Sequence, residues 1–530
     1  MQTRGRIHGG ASLIPALLAL VITGLTAGAG ERFVWSGGSN QSPYENWAKA
    51  SITITNAIVG ATSGDIITIT NDLYSGEGVV TVPVGVTVRG FSGNRDDVVV
   101  SGDGANRCFY MNSGSKLFHL TVSNGYFDGS YGGGIYADGA TISNCAIVSC
   151  VSTNGGGGGI YAKSSSTLVD TLISNNLATS DGGGCLLSGC TATRIRVCNN
   201  LLVSGSAGAA GGGATLTYCT VRDSWFVRNR ANLTGLNAGG GGARGNGCVF
   251  VNCDFSDNEV YGNYSNAGGG AYYQGNNTIV LIDCTITNNR ADGYGGGLGW
   301  NNTSGGSTAA YVTNCVIEGN RATYGGGIRC YGGRLDRCRV RGNAATIKYG
   351  AGGVALEGGA RIANSLMSEN ESTGDLLADG GGGGLLLKTA SVAELCTIAH
   401  NKAKYGGGLR LMSGSVTNCV VANNEATSGN QDINGDVATV HYSCSPDLTE
   451  GENNNIDADP GFKANGVGVG TNAVPGDYRL GGGSRCVNTG STQSWMLNAV
   501  DLDGKSRVRY DIVDRGAFES VCVGTVVGIR

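Results

Sequence analysis

Apolar and polar residues alternate over short runs in this chain, and the runs return at a fixed interval. In Val312-Thr313-Asn314-Cys315-Val316-Ile317 the apolar pair Cys315 and Ile317 shares one face, and Cys253 with Phe255, Cys284 with Ile286 and Cys419 with Val421 repeat the arrangement. A period of two means strands; no stretch carries the 3.6-residue period of an amphipathic helix. Between the runs stand triple glycines, ending at Gly134, Gly159, Gly184, Gly213, Gly242, Gly270, Gly297, Gly327, Gly384 and Gly408, with Gly350 to Gly353 as a variant, about one per 27 residues. An apolar residue three positions ahead of an asparagine recurs at the same interval, as in Phe226 with Asn229 and Ile398 with Asn401. Two features locked to one period of this length mark a solenoid. About three short strands per repeat, separated by Gly and Asn turns, predict an all-β chain folded as a right-handed parallel β-helix, a rod roughly 60–80 Å long at roughly 4.8 Å per coil.

Composition agrees, with 95 glycines against 6 prolines, which makes helix propensity poor almost everywhere. The recurring residues have physical roles in such a fold. Asn176, Asn200, Asn229, Asn258, Asn289, Asn320, Asn343, Asn370, Asn401 and Asn424 are expected to form an asparagine ladder at one turn, where Asn tolerates a left-handed backbone and bonds its counterpart one coil away. The triple glycines mark a second turn needing positive φ or close backbone approach. They are not a phosphate cradle, since no Gly-Lys-Ser/Thr follows them, and not a calcium-binding nonapeptide, since the positions that repeat would give to Asp hold Tyr136, Tyr161, Leu186, Tyr272, Gly299, Arg329 and Arg410.

Arg4 and Arg6 ahead of the apolar run Ala11 to Leu25, then Ala27-Gly28-Ala29, read as a secretory signal peptide over residues 1–29. Removing it takes the net charge from −4 to about −6, which points away from a nucleic-acid partner, and leaves no second apolar stretch long enough to span a membrane. Eighteen cysteines would ordinarily mean a disulfide framework in a secreted chain. Here Cys253, Cys284, Cys315, Cys338, Cys396 and Cys419 each lie five residues before a ladder asparagine, where Thr171, Ile195 and Ser365 substitute, so they are expected to stack as small buried residues, with Cys145 and Cys219 as irregular members. Cys444 with Cys486 is the pair nominated as a bridge. No metal-ligand spacing is present.

After the leader the chain divides into an N-terminal cap and first coils (30–125), with a short helix through Ala57 and Ile58 covering the open end, the repeat region (126–430), a C-terminal module (431–520) and a tail (521–530). Trp47-Ala48, Gly64-Asp65 and Leu73-Tyr74, the triple-glycine coils with Asn-Cys, then Asp457 to Phe462, Asp477-Tyr478-Arg479-Leu480, and Asp501-Leu502-Asp503-Gly504 through Asp514-Arg515-Gly516-Ala517-Phe518-Glu519 together resemble the secreted parallel β-helix proteins of environmental bacteria. The last segment resembles a choice-of-anchor module, and the repeats are similar to those of polymorphic outer membrane proteins, most closely at Phe226 to Asn229. That resemblance implies a pectate-lyase-like solenoid with a small C-terminal β module, placed outside the cytoplasm, free or held at the cell surface or outer membrane. Only eleven residues follow Glu519, too few for a translocator barrel, so the manner of anchoring stays open.

Function is expected to be binding or adhesion, by a monomer, with a polysaccharide or cell-surface component as partner and no cofactor. Tyr294, Tyr324, Tyr349 and Tyr405 each directly precede a glycine run, and Tyr136, Tyr161 and Tyr272 follow one; rings repeated at coil spacing suit an extended glycan. The alternative is a polysaccharide lyase or glycoside hydrolase on the same fold, with calcium entering only for a lyase. Its catalytic candidates are Arg337, Arg339 and Arg341, read as one outward strand face with Arg321 and Arg329 a coil earlier, and an acidic counterpart of Asp254, Asp257 and Glu259. A structural matrix rod is the third reading.

Overall fold

The computed structural model describes residues 29–204, 210–233, 239–262, 267–274, 277–301, 310–346, 350–374, 381–509 and 511–520. The leader up to residue 28, Tyr349 and the tail 521–530 lie outside them.

A representative coil runs Ile135–Asp138, Thr141–Ser143, Ala146–Val148 and Val151–Ser152, which define faces one to four. Each strand pairs in parallel with its counterpart one coil on, Ile135 with Ile160, Thr141 with Thr167, Ala146 with Leu172 and Val151 with Leu177. The four sheets so built contain 14, 16, 14 and 12 strands, a parallel β-helix. Four strands per coil replace the expected three, because the fourth has two residues and is too short to display an alternation. The second sheet begins at Glu31–Val34 and ends at Val440–His441, so the glycine-rich repeats are the middle of one continuous solenoid. Its sixteen strands span about 70 Å at roughly 4.8 Å each.

Alternation sends every second side chain into a single buried column of Ile, Val, Leu and Cys, with Phe226 and Phe255 stacked at 4.8 Å in its middle. The corners explain the recurring residues. Ladder asparagines are buried, and each Nδ2 donates to the Oδ1 of the next at 2.9–3.0 Å from Asn176 through to Asn424. The left-handed residue is not the ladder asparagine but the one before it: Asn175, Asn199, Arg228, Asp257 and Asn288 have φ of 54–55°. Turning inward, the asparagine side chain satisfies backbone that the corner would strand, as when Asn176 Nδ2 reaches Ile147 O at 3.0 Å.

The triple glycine faces this ladder. Gly157 has φ +67°, a Cβ on Gly158 would lie 2.3 Å from Gly183 O, and one on Gly159 would lie 2.8 Å from Asn176 Nδ2. Positive φ and close approach are therefore both required, at successive residues. At the corner between faces two and three, Cys145, Cys253, Cys284, Cys315, Cys338, Cys396 and Cys419 are buried free thiols, and Cys145 is a regular member. Cys219 belongs to a different column, with Cys190 and Cys248 at the corner ahead of face two. Cys444 and Cys486 are also free thiols, buried in one cluster.

The expected helical cap is a single turn, Ile54–Ile58, which turns Ile54, Ala57 and Ile58 into the core. β-Branched residues on either side of it hold helix propensity down. At the other end Leu448 joins the core, and the ladder closes on a carboxylate: Asp432 Oδ1 accepts from Asn424 Nδ2 at 2.8 Å and Asn424 N at 3.0 Å. Burial pushes the Asp432 carboxyl up to about 6, the nearby Asp447 carboxylate adding to the rise while the Asn424 donors oppose it. Because the folded value exceeds the ordinary 3.8, this group's stabilisation is complete below about pH 4 and is lost as pH rises through 6, roughly 3 kcal/mol at most. Asp432→Asn keeps the acceptor and should be more stable than the parent at pH 8 but not at pH 4. Urea melts at both pH values check this, and equal midpoint differences would contradict it.

The C-terminal segment contains one antiparallel pair, Phe462–Ala464 with Asp477–Leu480, and folds back over face three of the last coils. Arg507, with no exposed surface, carries the docking: Nε donates to Asn364 Oδ1 at 2.8 Å and Nη1 to Glu519 Oε1 at 2.9 Å. Among the described residues no helix is long and apolar enough to cross a membrane.

Candidate functional site on the third face

Face three presents a groove of about 580 Å³, walled by the loop carrying Asn94 to Asp96 and floored by Leu172, Arg196 and Trp225. Alternation places these side chains. Phe226 and Val197 point into the core, so their neighbours Trp225 and Arg196 point out, and the parallel register sets the two beside each other on adjacent strands. Trp225 is 42% exposed, and the side chain of neither Trp225 nor Arg196 has a ring contact, hydrogen bond or ion pair among the described residues. An exposed indole with a free face beside an unneutralised guanidinium suits a sugar ring carrying a carboxylate.

The corner beside the groove is left-handed at Asp170, Arg194 and Asp223, which turns their side chains outward. Arg194 grips Asp170 through two bonds, Nε to Oδ1 at 2.6 Å and Nη2 to Oδ2 at 2.8 Å, and this holds the Asp170 carboxyl below its ordinary range. Arg95 reaches down from the loop and donates to Cys145 O and Asp170 O, both at 3.3 Å. The groove therefore carries fixed cations and an ionised carboxylate.

The residues singled out from sequence lie elsewhere and do not converge. Arg339 and Arg341 share an outward strand, but Arg337 sits at the preceding left-handed corner with φ 50°. Arg339 is taken by Asp503 of the C-terminal segment at 3.0 Å, and Arg341 by Glu318 at 2.8 Å. Arg321 lies on face four and Arg329 on face one, so the five arginines form no single patch. Asp254 opens a face-three strand, Asp257 is a left-handed corner residue and Glu259 opens a face-four strand. Three strand spacings, roughly 14 Å, separate Asp254 from Arg339, beyond hydrogen-bond reach. Among the described residues no three His, Cys, Asp or Glu side chains are grouped to hold a metal ion.

Of the tyrosines singled out from sequence, those that are described touch neighbouring side chains. Tyr324 is 6% exposed and bonds Glu357, with Tyr294 edge-on against it at 5.2 Å and Arg329 lying over Tyr294 at 4.7 Å. Tyr405 is half-buried with the Lys404 ammonium over its ring. On face one Tyr110 and Tyr136 stack at 4.7 Å and 5°, and Tyr131, 41% exposed at the corner before that face, stacks on Tyr161 at 4.6 Å and 23°. Sequence reasoning passed over Trp225, although a tryptophan directly ahead of the inward Phe226 had to point outward.

The chain is a parallel β-helix whose third face carries a groove lined by an exposed indole and arginines. Known protein families and curated protein sequences give no match to the chain. Among solved structures, pectate lyase Pel9A aligns over 93% of this chain and 97% of its own at 14% identity and a TM-score of 0.25. The Dettilon tailspike protein aligns over 72% of this chain and 68% of its own at 13% identity and a TM-score of 0.34. PfbA, a surface adhesin of Streptococcus pneumoniae, aligns over 58% and 85% at 12% identity and a TM-score of 0.22. These likenesses concern the fold.

Proposed function

We propose that this chain is an extracytoplasmic glycan-binding protein that holds an acidic glycan on face three, with Trp225 as the stacking surface and Arg196 as the carboxylate partner. The observation that carries the reading is the pair itself, an indole 42% exposed with no ring upon it and an adjoining unpaired guanidinium. Side chains with such free surface are the ones that gain most from a partner.

Trp225→Ala should weaken retention on an acidic polysaccharide about tenfold to a hundredfold, roughly 1.4–3 kcal/mol, without changing the thermal midpoint. Affinity electrophoresis through pectin, alginate and glucuronoxylan gels, read together with reducing ends, measures this. Unchanged mobility of the variant in a gel that retards the parent would reject the site, and released sugar would reject a purely binding role.

A further inference from the structure

Resting on the glycan-binding reading above, we infer that the groove is one end of a trough closed at both ends, and that it holds a short oligosaccharide by a carboxylate-bearing terminal sugar. Face three is not open along its length. Towards the N-terminus the loop 91–97 straps across it: Thr121 Oγ1 donates to Arg95 O at 2.9 Å and Asn144 Nδ2 to Gly93 O at 3.1 Å. Beneath the strap Ala146, an outward position, is 3% exposed. Towards the C-terminus the docked segment covers the same face, engaging Arg339 through Asp503 and leaving the outward Leu366 6% exposed. Between these stops the outward residues Leu172, Arg196, Trp225, Asp254, Thr285 and Val316 are all partly or fully exposed.

Six strands give about five spacings, roughly 24 Å, and an extended sugar residue advances by close to one strand spacing, so the trough takes about five or six sugars. Its charge is graded. Arg196 stands unpaired at the strap, where Asp170 neutralises Arg194 and Asp96 lies 3.9 Å from Arg95, while Asp254 and Asp257 follow on the coil after Trp225. A uniformly acidic polymer would lay carboxylates against Asp254, which repels them. A chain with one acidic sugar at its end and neutral sugars after it sets its carboxylate against Arg196 and no charge against Asp254, its terminus seated against the strap. The strap thereby makes the face a reader of chain ends instead of an open track.

Isothermal titration of the full mature chain with galacturonate oligomers of three to twelve sugars, and with xylo- and cello-oligosaccharides of the same lengths bearing one terminal uronate, tests this. Affinity for the uronate-terminated neutral series should rise to five or six sugars and then stay flat. Carboxyl reduction of the terminal sugar should weaken binding at least tenfold, Arg196→Gln should abolish that difference, and Asp254→Asn should selectively improve binding of the galacturonate oligomers. Affinity that keeps rising to twelve sugars, indifference to carboxyl reduction, or no binding by any of these probes would overturn the inference. Where gel retardation lost on Trp225→Ala accompanies any of those results, the glycan-binding reading stands and the end-reading alone falls.

Discussion

Replacing Asn289 with alanine should cost about 3–5 kcal/mol of folding free energy, although the residue touches no candidate ligand. Asn289 Oδ1 accepts from Asn258 N at 2.9 Å and Asn258 Nδ2 at 3.0 Å, while its own Nδ2 donates to Phe255 O at 2.7 Å and Asn320 Oδ1 at 2.9 Å. All these partners are buried, so truncation strands two donors and one carbonyl in the interior, each worth about 1–3 kcal/mol, with partial relief from entering water. Coils contact only their neighbours in a solenoid, so the damage should be local: hydrogen exchange should rise around Asn258 and Asn320 before it rises at the ends. Asn424→Ala, beside the final rung, should cost less. Urea unfolding and exchange mass spectrometry measure both, and a loss at Asn289 below about 1 kcal/mol would show that the ladder is ornament on a core that holds without it.

Arg507→Met should release the C-terminal segment while leaving the coils folded. The guanidinium is buried with Glu519, Asn364 and Leu395 as partners; burial already pushes the Glu519 carboxyl up to about 7 against the pull of Arg507, so removing the guanidinium strips a buried acid of its charge partner, at a cost of about 3–5 kcal/mol. Limited proteolysis should then cut within residues 457–520 and leave a resistant fragment of coils. Arg507→Met with Glu519→Leu should recover most of the loss, because replacing both members of a buried pair by apolar groups is close to neutral. Resistance to cleavage in the single variant would show that the apolar contacts around Phe518 and Leu502 suffice for docking.

Much of the scaffold was legible because its signals are local and repeated. Asn258, Asn289 and Asn320 recur at the coil length, and a buried amide at that interval has one natural partner, its counterpart in the next coil. The fourth strand was illegible since Val151–Ser152 has no room for a pattern. The left-handed corner was assigned to the ladder asparagine when its preceding residue takes it, because Asn, Arg and Asp all occur there and no single letter marks it. The site was hardest. Arg339 looked free because its partner Asp503 lies 164 positions along the chain. The groove depends on a loop folding three coils down, from Arg95 to Asp170, which no periodicity records.

The docked C-terminal segment also decides how the rod would carry mechanical load. Hydrogen bonds between coils lie along the long axis, so tension on the last coil would peel turns off one after another, each yielding alone. The segment instead grips Arg339, Asn364, Thr397, Asn418 and Ser443, which belong to successive coils. A pull delivered at Ser520 arrives at several turns at once and must shear those grips together. The end of the protein that looks least regular is thus the part that would let a slender helix serve as a tether.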